Sequence, residues 1–359
     1  VFASTYLQAR DAFLKAVSIA DARLETIAFP NGSTKNGDDL FVDIASIGSK
    51  SAPNVILCIS GTHGVEGFAG SACQIDILER LIDEDFGSDL KLVLIHSINP
   101  FGFANGRRVN EDNIDLNRNF IDFSQPLPDN DRAIQAAANL MPINGTLEAY
   151  HKTEKYIQLL LDTNKIYQVA SDLQPGQFQD EAGLFYGGRE PSWSHETFRK
   201  LCSKHLSDAK NIVVIDYHTG LGETGVGELI FVSPHQREVT KKIESIFTGP
   251  LSIAGAEDSV SSEVTGPLIS SIADEVPQSD VLAAALEFGT CPLQDVVWAL
   301  VIENWATRYF SEGHPLLIDA RAQLKKAFYC EGNEHWQRAI IGRSEQVFEE
   351  AKNYLMNNT

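Results

Sequence analysis

The chain has 359 residues, of which 43% are hydrophobic, and carries a formal net charge of −20 at pH 7. This length and composition suit one large α/β domain with a sizeable core, and the acidic balance argues against a nucleic-acid partner, which would need a basic face to release counterions. No run of eighteen apolar residues occurs, and the start lacks a basic segment followed by an apolar one, so neither a membrane span nor a retained signal peptide is expected.

In chain order, residues 5–20 read as an opening amphipathic helix, and 24–47 as extended segments interrupted by the turn Asn31-Gly32-Ser33. Val55 to Ser60 is an apolar strand, Ala69 to Ile82 a helix, and Leu92 to Ile98 a strand stopped by Asn99-Pro100. The stretch 129–169 has helical periodicity and is expected to be an insertion. Asn211 to Tyr217 and Gly227 to Val232 read as strands, Gln236 to Phe247 as a helix, and Val281 to Glu287 as another apolar strand. Helices over Leu293 to Tyr309 and Ser344 to Met356 complete the chain. The alternation predicts an α/β fold, a single domain over 1–359 whose mixed, mostly parallel sheet is covered by helices on both faces. Pro and Gly clusters at 124–130, 174–191 and 249–280 are expected to be long surface loops. The five cysteines, Cys58, Cys73, Cys202, Cys291 and Cys330, are odd in number and form no Cys-x-x-Cys pair. They read as buried thiols of a cytoplasmic protein, neither a disulfide framework nor a zinc site.

His63 and Glu66 stand three positions apart just where the apolar run ending at Ser60 stops, among Gly61, Gly64, Gly67 and Gly70. Imidazole and carboxylate are both good zinc ligands, and a catalytic zinc site keeps one position open for water. In an open α/β sheet, ligands bind outside the carboxyl ends of the strands. The same spacing recurs at His151/Glu154 and His235/Glu238, but in polar helical stretches where such a pair is ordinarily solvated.

His218 repeats the placement of His63, at the end of an apolar strand entering a Gly-rich turn. It is a candidate third ligand, or a hydrogen-bonded structural histidine. Glu287 ends another apolar strand; a carboxylate there is either held near a metal, where it can move a proton, or paired with an Arg. The segment 99–120 is dense in Arg and Asn. Asn117 and Arg118 could clamp a substrate carboxylate, and an Arg near a metal could stabilise a developing oxyanion, unless these side chains only tie down loop carbonyls.

Together these pieces resemble the zinc carboxypeptidase superfamily, the funnelin metallopeptidases, and in particular its bacterial carboxypeptidase-like branch. The resemblance spans residues 55–290. It implies one zinc ion held by His63, Glu66 and His218, with Glu287 as general base and Arg108 polarising the scissile carbonyl. It further implies Asn117 and Arg118 gripping a free carboxylate and Asp115 orienting His63, in keeping with the rule that a ligating imidazole donates its other N–H. The implied activity is hydrolysis of an amide next to a carboxylate, as a carboxypeptidase acting on peptides or as an N-acyl amino acid deacylase of the aspartoacylase or succinylglutamate desuccinylase type. A murein-type peptide would also fit.

Two departures stand out. Members of the family commonly place a tyrosine between the third ligand and the catalytic Glu, and no Tyr lies between His218 and Glu287 here. Tyr186 could reach the pocket from another loop, or be a packed aromatic. The choice of Arg108 over Arg107 rests on the Arg-x-Asn spacing before Asp115. Two other classes compete. Gly220-Leu221-Gly222-Glu223-Thr224-Gly225 matches a dinucleotide-binding pattern but is followed by a strand, not the helix such a site requires. A non-catalytic zinc-binding protein would keep the ligands without needing Glu287.

Overall fold

The computed structural model describes residues 1–359 apart from 83, 85, 233–235, 256–263 and 358–359 and the side chains of 236–239. The elements are α1 (Tyr6–Ile19), β1 (Arg23–Ser33), β2 (Asp39–Gly48), β3 (Asn54–Ile59), α2 (Gly67–Arg80), β4 (Leu90–His96), α3 (Pro100–Asn105), α4 (Asp131–Leu140), α5 (Leu147–Asp162), α6 (Ile166–Leu173), α7 (Trp193–Leu206), β5 (Asn211–Thr224), β6 (Gly227–Phe231), α8 (Gln236–Ile246), β7 (Leu251–Ile253), α9 (Ile272–Glu275), β8 (Asp280–Gly289), α10 (Leu293–Tyr309), α11 (Pro315–Phe328) and α12 (Glu334–Asn357).

The eight strands form one sheet in the order β1-β2-β4-β3-β5-β8-β6-β7. Its centre, β4-β3-β5-β8, is parallel, while β1, β2 and β6 join it antiparallel and β7 pairs parallel with β6. Central strands need apolar residues on both faces, and β3 and β4 are buried along their whole length. On β3, Ile56 and Cys58 face a core made with Phe13 of α1, Cys73 of α2 and Val347 of α12. Val55, Leu57 and Ile59 face the opposite core, with Phe198 and Leu201 of α7 and Ile272 of α9. The expected mixed, mostly parallel sheet with helices on both faces is therefore present.

The region expected to be helical at 129–169 contains α4, α5 and the first half of α6, which bury their apolar stripes against α10 and α11 in a separate cluster. Several local expectations need correction. Helices α7 and α11 went unrecognised, although Ser192 caps the first through the His195 amide and Pro315 stands in the first turn of the second. α12 begins at Glu334, not Ser344. β5 does not end at Tyr217 but runs on to Thr224, because its pairing with β8 continues past His218. The stretches 174–191 and 249–280 are not simply surface loops. They bury Gln177, Phe178, Leu184, Tyr186, Leu268 and Ile269, and the Gln177 side chain accepts from two backbone amides and donates to two carbonyls, which makes such burial tolerable.

Candidate metal centre and active site

Three central strands deliver the site. His63 follows β3, His218 lies in β5, and Glu287 lies in β8 opposite His218 in the parallel register. The chain leaves β3 through Gly61, whose φ is +67 and where a Cβ would lie 2.0 Å from the Ser97 hydroxyl oxygen. Any side chain there would displace the turn that presents His63. A Cβ on Gly64 would lie 2.1 Å from the Gly102 backbone, so its absence lets the 64–66 turn press against α3. The Gly64 and Val65 amides then donate to the carbonyls of Arg108 and Arg107 (3.0 and 2.8 Å), laying the two arginines beside Glu66.

That clamp separates the two arginines. The Arg108 guanidinium donates to Glu66 Oε1 (3.0 Å) and Asp115 Oδ2 (3.1 Å). Arg107 turns away to bond Glu303 (2.8 Å) and Asn113 (3.0 Å). The structure thus puts Arg108, not Arg107, at the site.

His63, Glu66 and His218 are all buried, and one donor atom from each lies within 4.8 Å of the others. His63 Nδ1 is 3.0 Å from Glu66 Oε1, His218 Nδ1 is 3.1 Å from Glu66 Oε2, and the two Nδ1 atoms are 3.2 Å apart. Ligands on a tetrahedral zinc, with bonds of about 2.0–2.2 Å, stand roughly 3.3–3.5 Å apart, close to this spacing. The far nitrogens are held by buried acids: His63 Nε2 is 3.1 Å from Asp115 Oδ1 and His218 Nε2 is 2.8 Å from Asp216 Oδ2. With Nε2 protonated toward these acids, both Nδ1 lone pairs and a carboxylate face one another, an arrangement that calls for a cation. The Nε2 proton of His63 goes to Asp115, so the 2.7 Å approach of Arg108 Nη2 to the same nitrogen is a close contact between two donors.

The electrostatics follow from burial opposed by neighbours. Burial would raise the Glu66 carboxyl, but His63, His218 and Arg108 hold it well below the carboxylate range. Burial would lower His218, but Asp216 and Glu66 hold it well above its ordinary value, so the nitrogen facing Glu66 sits in a field that attracts positive charge. Asp115, also buried, is kept well below its usual value by Arg108 and His63. Glu287 is pushed up to about 7 by burial and by the charge of Glu66, while its Oε1 accepts from the Leu221 amide at 2.9 Å.

Asn117 and Arg118 line the same pocket as the triad and Glu287. The Asn117 side-chain oxygen accepts from the Leu268 amide (3.0 Å), which leaves its NH2 as the donor end. Arg118 is buried, its Nη1 donates to the Asn117 carbonyl (2.8 Å), and its Nε has no hydrogen-bond partner among the described residues. Burial and Arg108 lower it to about 10 against the pull of Asp115.

His151 and Glu154 form an exposed pair at 3.2 Å, and His235 lies outside the described residues. Gly220–Gly225 is the tip where β5 turns into β6, with no helix to receive a pyrophosphate. Tyr186 packs in the core beside Ile114, Leu116 and Phe120 and does not line the pocket. Sequence reasoning missed Asp216 and Phe185. Asp216 stands two residues before His218 on one strand and so projects to the same face, a readable signal. Phe185 has φ +52 and holds its ring 5.4 Å from the Arg108 guanidinium and 5.5 Å from that of Arg118, and nothing in its neighbourhood announces this.

The fold is that of the zinc carboxypeptidases. Bovine thrombin-activatable fibrinolysis inhibitor, solved in complex with a tick carboxypeptidase inhibitor, aligns over 100% of this chain and 99% of its own with a TM-score of 0.50 at 10% identity. Carboxypeptidase A from Helicoverpa armigera aligns over 90% of this chain and 74% of its own (TM-score 0.44, 13% identity). A succinylglutamate desuccinylase from a Silicibacter species aligns over 80% and 67% (TM-score 0.39, 13% identity). No curated protein matches the sequence. Residues 2–343 match the family described as "Protein of unknown function (DUF2817)", and the chain belongs to that family.

Proposed function

We propose that this protein is a zinc-dependent hydrolase that cleaves an amide bond next to a free carboxylate. The observation that carries the reading is the convergence of two imidazole Nδ1 atoms and the Glu66 carboxylate at 3.0–3.2 Å, each imidazole backed by a buried aspartate. His63, Glu66 and His218 would hold the ion, which when bound supplies a Lewis acid and lowers the pKa of water toward 7.

The chain's own groups do the rest. Asp115 and Asp216 hold the two rings in the tautomer that presents Nδ1. Glu287, fixed by the Leu221 amide, removes a proton from the attacking water and delivers it to the departing amine. Arg108 donates to the carbonyl oxygen as it gains charge. Arg118, whose buried Nε has no hydrogen-bond partner among the described residues, and the amide of Asn117 grip the substrate carboxylate. Substrates are peptides or N-acyl amino acids, not nucleic acids. The unpaired thiols fit a cytoplasmic setting.

The test joins metal analysis of the purified protein to a hydrolysis screen of peptides, N-acyl amino acids and their C-terminal amides. We expect one zinc per chain and cleavage only where the carboxylate is free. Glu287→Gln should keep the zinc and lower kcat on the order of 10² to 10⁴ fold. A metal-free active protein, or full activity in the Gln variant, would refute the assignment.

A further inference from the structure

The pocket that holds the triad has two unlike ends. On the clamp side Asn117 accepts from the Leu268 amide at the start of the helical turn Leu268–Ser271, and Ile269 of that turn and Ala285 of β8 are among the residues that line the pocket. The Arg108 side leans on helices. Phe328 marks that side, its ring centroid 5.9 Å from the Arg108 guanidinium, and Phe185 stands over both arginines, 5.4 Å from Arg108 and 5.5 Å from Arg118. From Phe185 the lining continues through Leu184, Leu173 of α6, and Val297 and Val301 of α10. These residues belong to the helical cluster of α4, α5, α6, α10 and α11, so this wall is built by a part of the chain that contributes no ligand to the triad. Phe185 is kept at positive φ where its backbone carbonyl accepts from the Gln177 amide (3.0 Å). A strained aromatic held at a pocket is a constraint that the surroundings must enforce.

Among the described residues, the only Lys or Arg side chains lining the pocket are Arg108 and Arg118. In the hydrolase reading above, on which this inference rests, one serves the developing oxyanion and the other the substrate carboxylate. A second carboxylate on the acyl side would then meet aliphatic carbon and no cation, which is costly.

We propose that the acyl side of the substrate is an apolar group, an aliphatic or aromatic acyl chain or an apolar amino-acid residue, seated on the wall formed by Phe185, Leu184, Leu173, Val297, Val301 and Phe328. Dicarboxylic acyl groups are excluded from that wall. Each buried methylene strengthens binding about fourfold until the wall is covered.

The zinc-loaded Glu287→Gln protein, which binds without turnover, is titrated calorimetrically with N-acetyl-, N-octanoyl- and N-succinyl-L-phenylalanine and with N-acetyl-L-leucyl-L-phenylalanine. N-octanoyl should bind at least about thirtyfold tighter than N-acetyl, and N-succinyl no tighter than N-acetyl. If the leucyl peptide exceeds the octanoyl compound, the natural apolar group is a residue; if the order is reversed, it is an acyl chain; both support the proposal. Val297→Phe, which fills the wall, should cost the octanoyl compound about tenfold or more and leave the acetyl compound unchanged. Leu184→Ala, which thins the wall without crowding it, should reduce the octanoyl preference and serves if the Phe variant does not fold. Equal affinity for acetyl and octanoyl compounds, or tighter binding of the succinyl compound, overturns the proposal. Wild-type protein that binds in the expected order yet hydrolyses none of the compounds would sink the hydrolase reading and leave the apolar wall standing. Hydrolysis of all of them without the ranking would do the reverse.

Discussion

His96 and His218 stand on strands separated only by β3, each after an apolar run, and both are buried. Their surroundings push them in opposite directions. The His96 ring stacks on Phe13 at 4.3 Å, its Nε2 lies 2.9 Å from the Ser71 hydroxyl, and its Nδ1 has no hydrogen-bond partner among the described residues. The nearby Asp43 carboxylate is engaged by Arg10 and Thr26. Burial therefore prevails and pushes His96 down to about 4. At His218, Asp216 and Glu66 overcome the same burial and raise the imidazole. A strand-end histidine is thus a nomination only. The carboxylates that face it decide whether it is core or site.

His218→Ala should leave only two protein ligands and release the metal, so that dialysed protein holds no stoichiometric zinc and no activity, while His96→Phe keeps both. Retention of zinc by the first variant, or its loss in the second, would reverse the roles assigned to the two histidines. Asp216→Asn should lower zinc affinity or activity about 10- to 100-fold, read by competition with a chromophoric chelator. An unchanged affinity would mean that strand geometry alone orients His218. Arg118→Ala should raise KM on the order of tenfold or more for substrates with a free carboxylate and barely move their amides. Equal losses on both would make Arg118 a packing residue.

The last test leaves catalysis untouched and concerns stability. His96 has a folded value of about 4 against an ordinary 6.5, so between these values the unfolded chain binds the proton and the folded one does not. Its contribution is therefore intact above about pH 6.5 and is lost as pH falls toward 4, by on the order of 3 kcal/mol in all. Denaturant titrations at pH 7 and 4.5 should show a smaller acid loss for His96→Phe than for the wild type. Parallel losses would show that His96 titrates without cost in the folded protein.

Much of the site was legible in the chain because the chemistry sits at the ends of apolar runs. His63 follows β3 and His218 lies in β5, strands whose continuous burial reads directly from their β-branched and aliphatic residues, and Glu287 lies in β8, where buried and half-buried residues alternate. Parallel neighbours in one sheet then bring their carboxyl ends together. Asp216 is legible in principle through the two-residue period of β5, which sets it on the same face as His218. Phe185 was not legible. Its role depends on a left-handed backbone set by contacts with Gln177, and a Phe between Leu184 and Tyr186 reads as one more core aromatic. In the stretches 174–191 and 249–280 the Pro and Gly content signals turns, but it gives no sign of β7 and α9 or of the burial of Phe178, Leu184, Tyr186, Leu268 and Ile269.

By itself the sequence determined the α/β layering, the acidic surface, and the three strand ends on which metal-ligating and proton-moving groups stand, because these follow from periodicity and residue chemistry along a short segment. Only the tertiary structure decided that Arg108 faces Glu66 while Arg107 pairs with Glu303, that His96 is core while His218 is site, and that helices α6 and α10 wall the pocket with carbon. Each of those outcomes depends on what a distant segment places opposite a side chain. A buried charge or ring takes its function from the groups that face it, and those groups are brought there by packing.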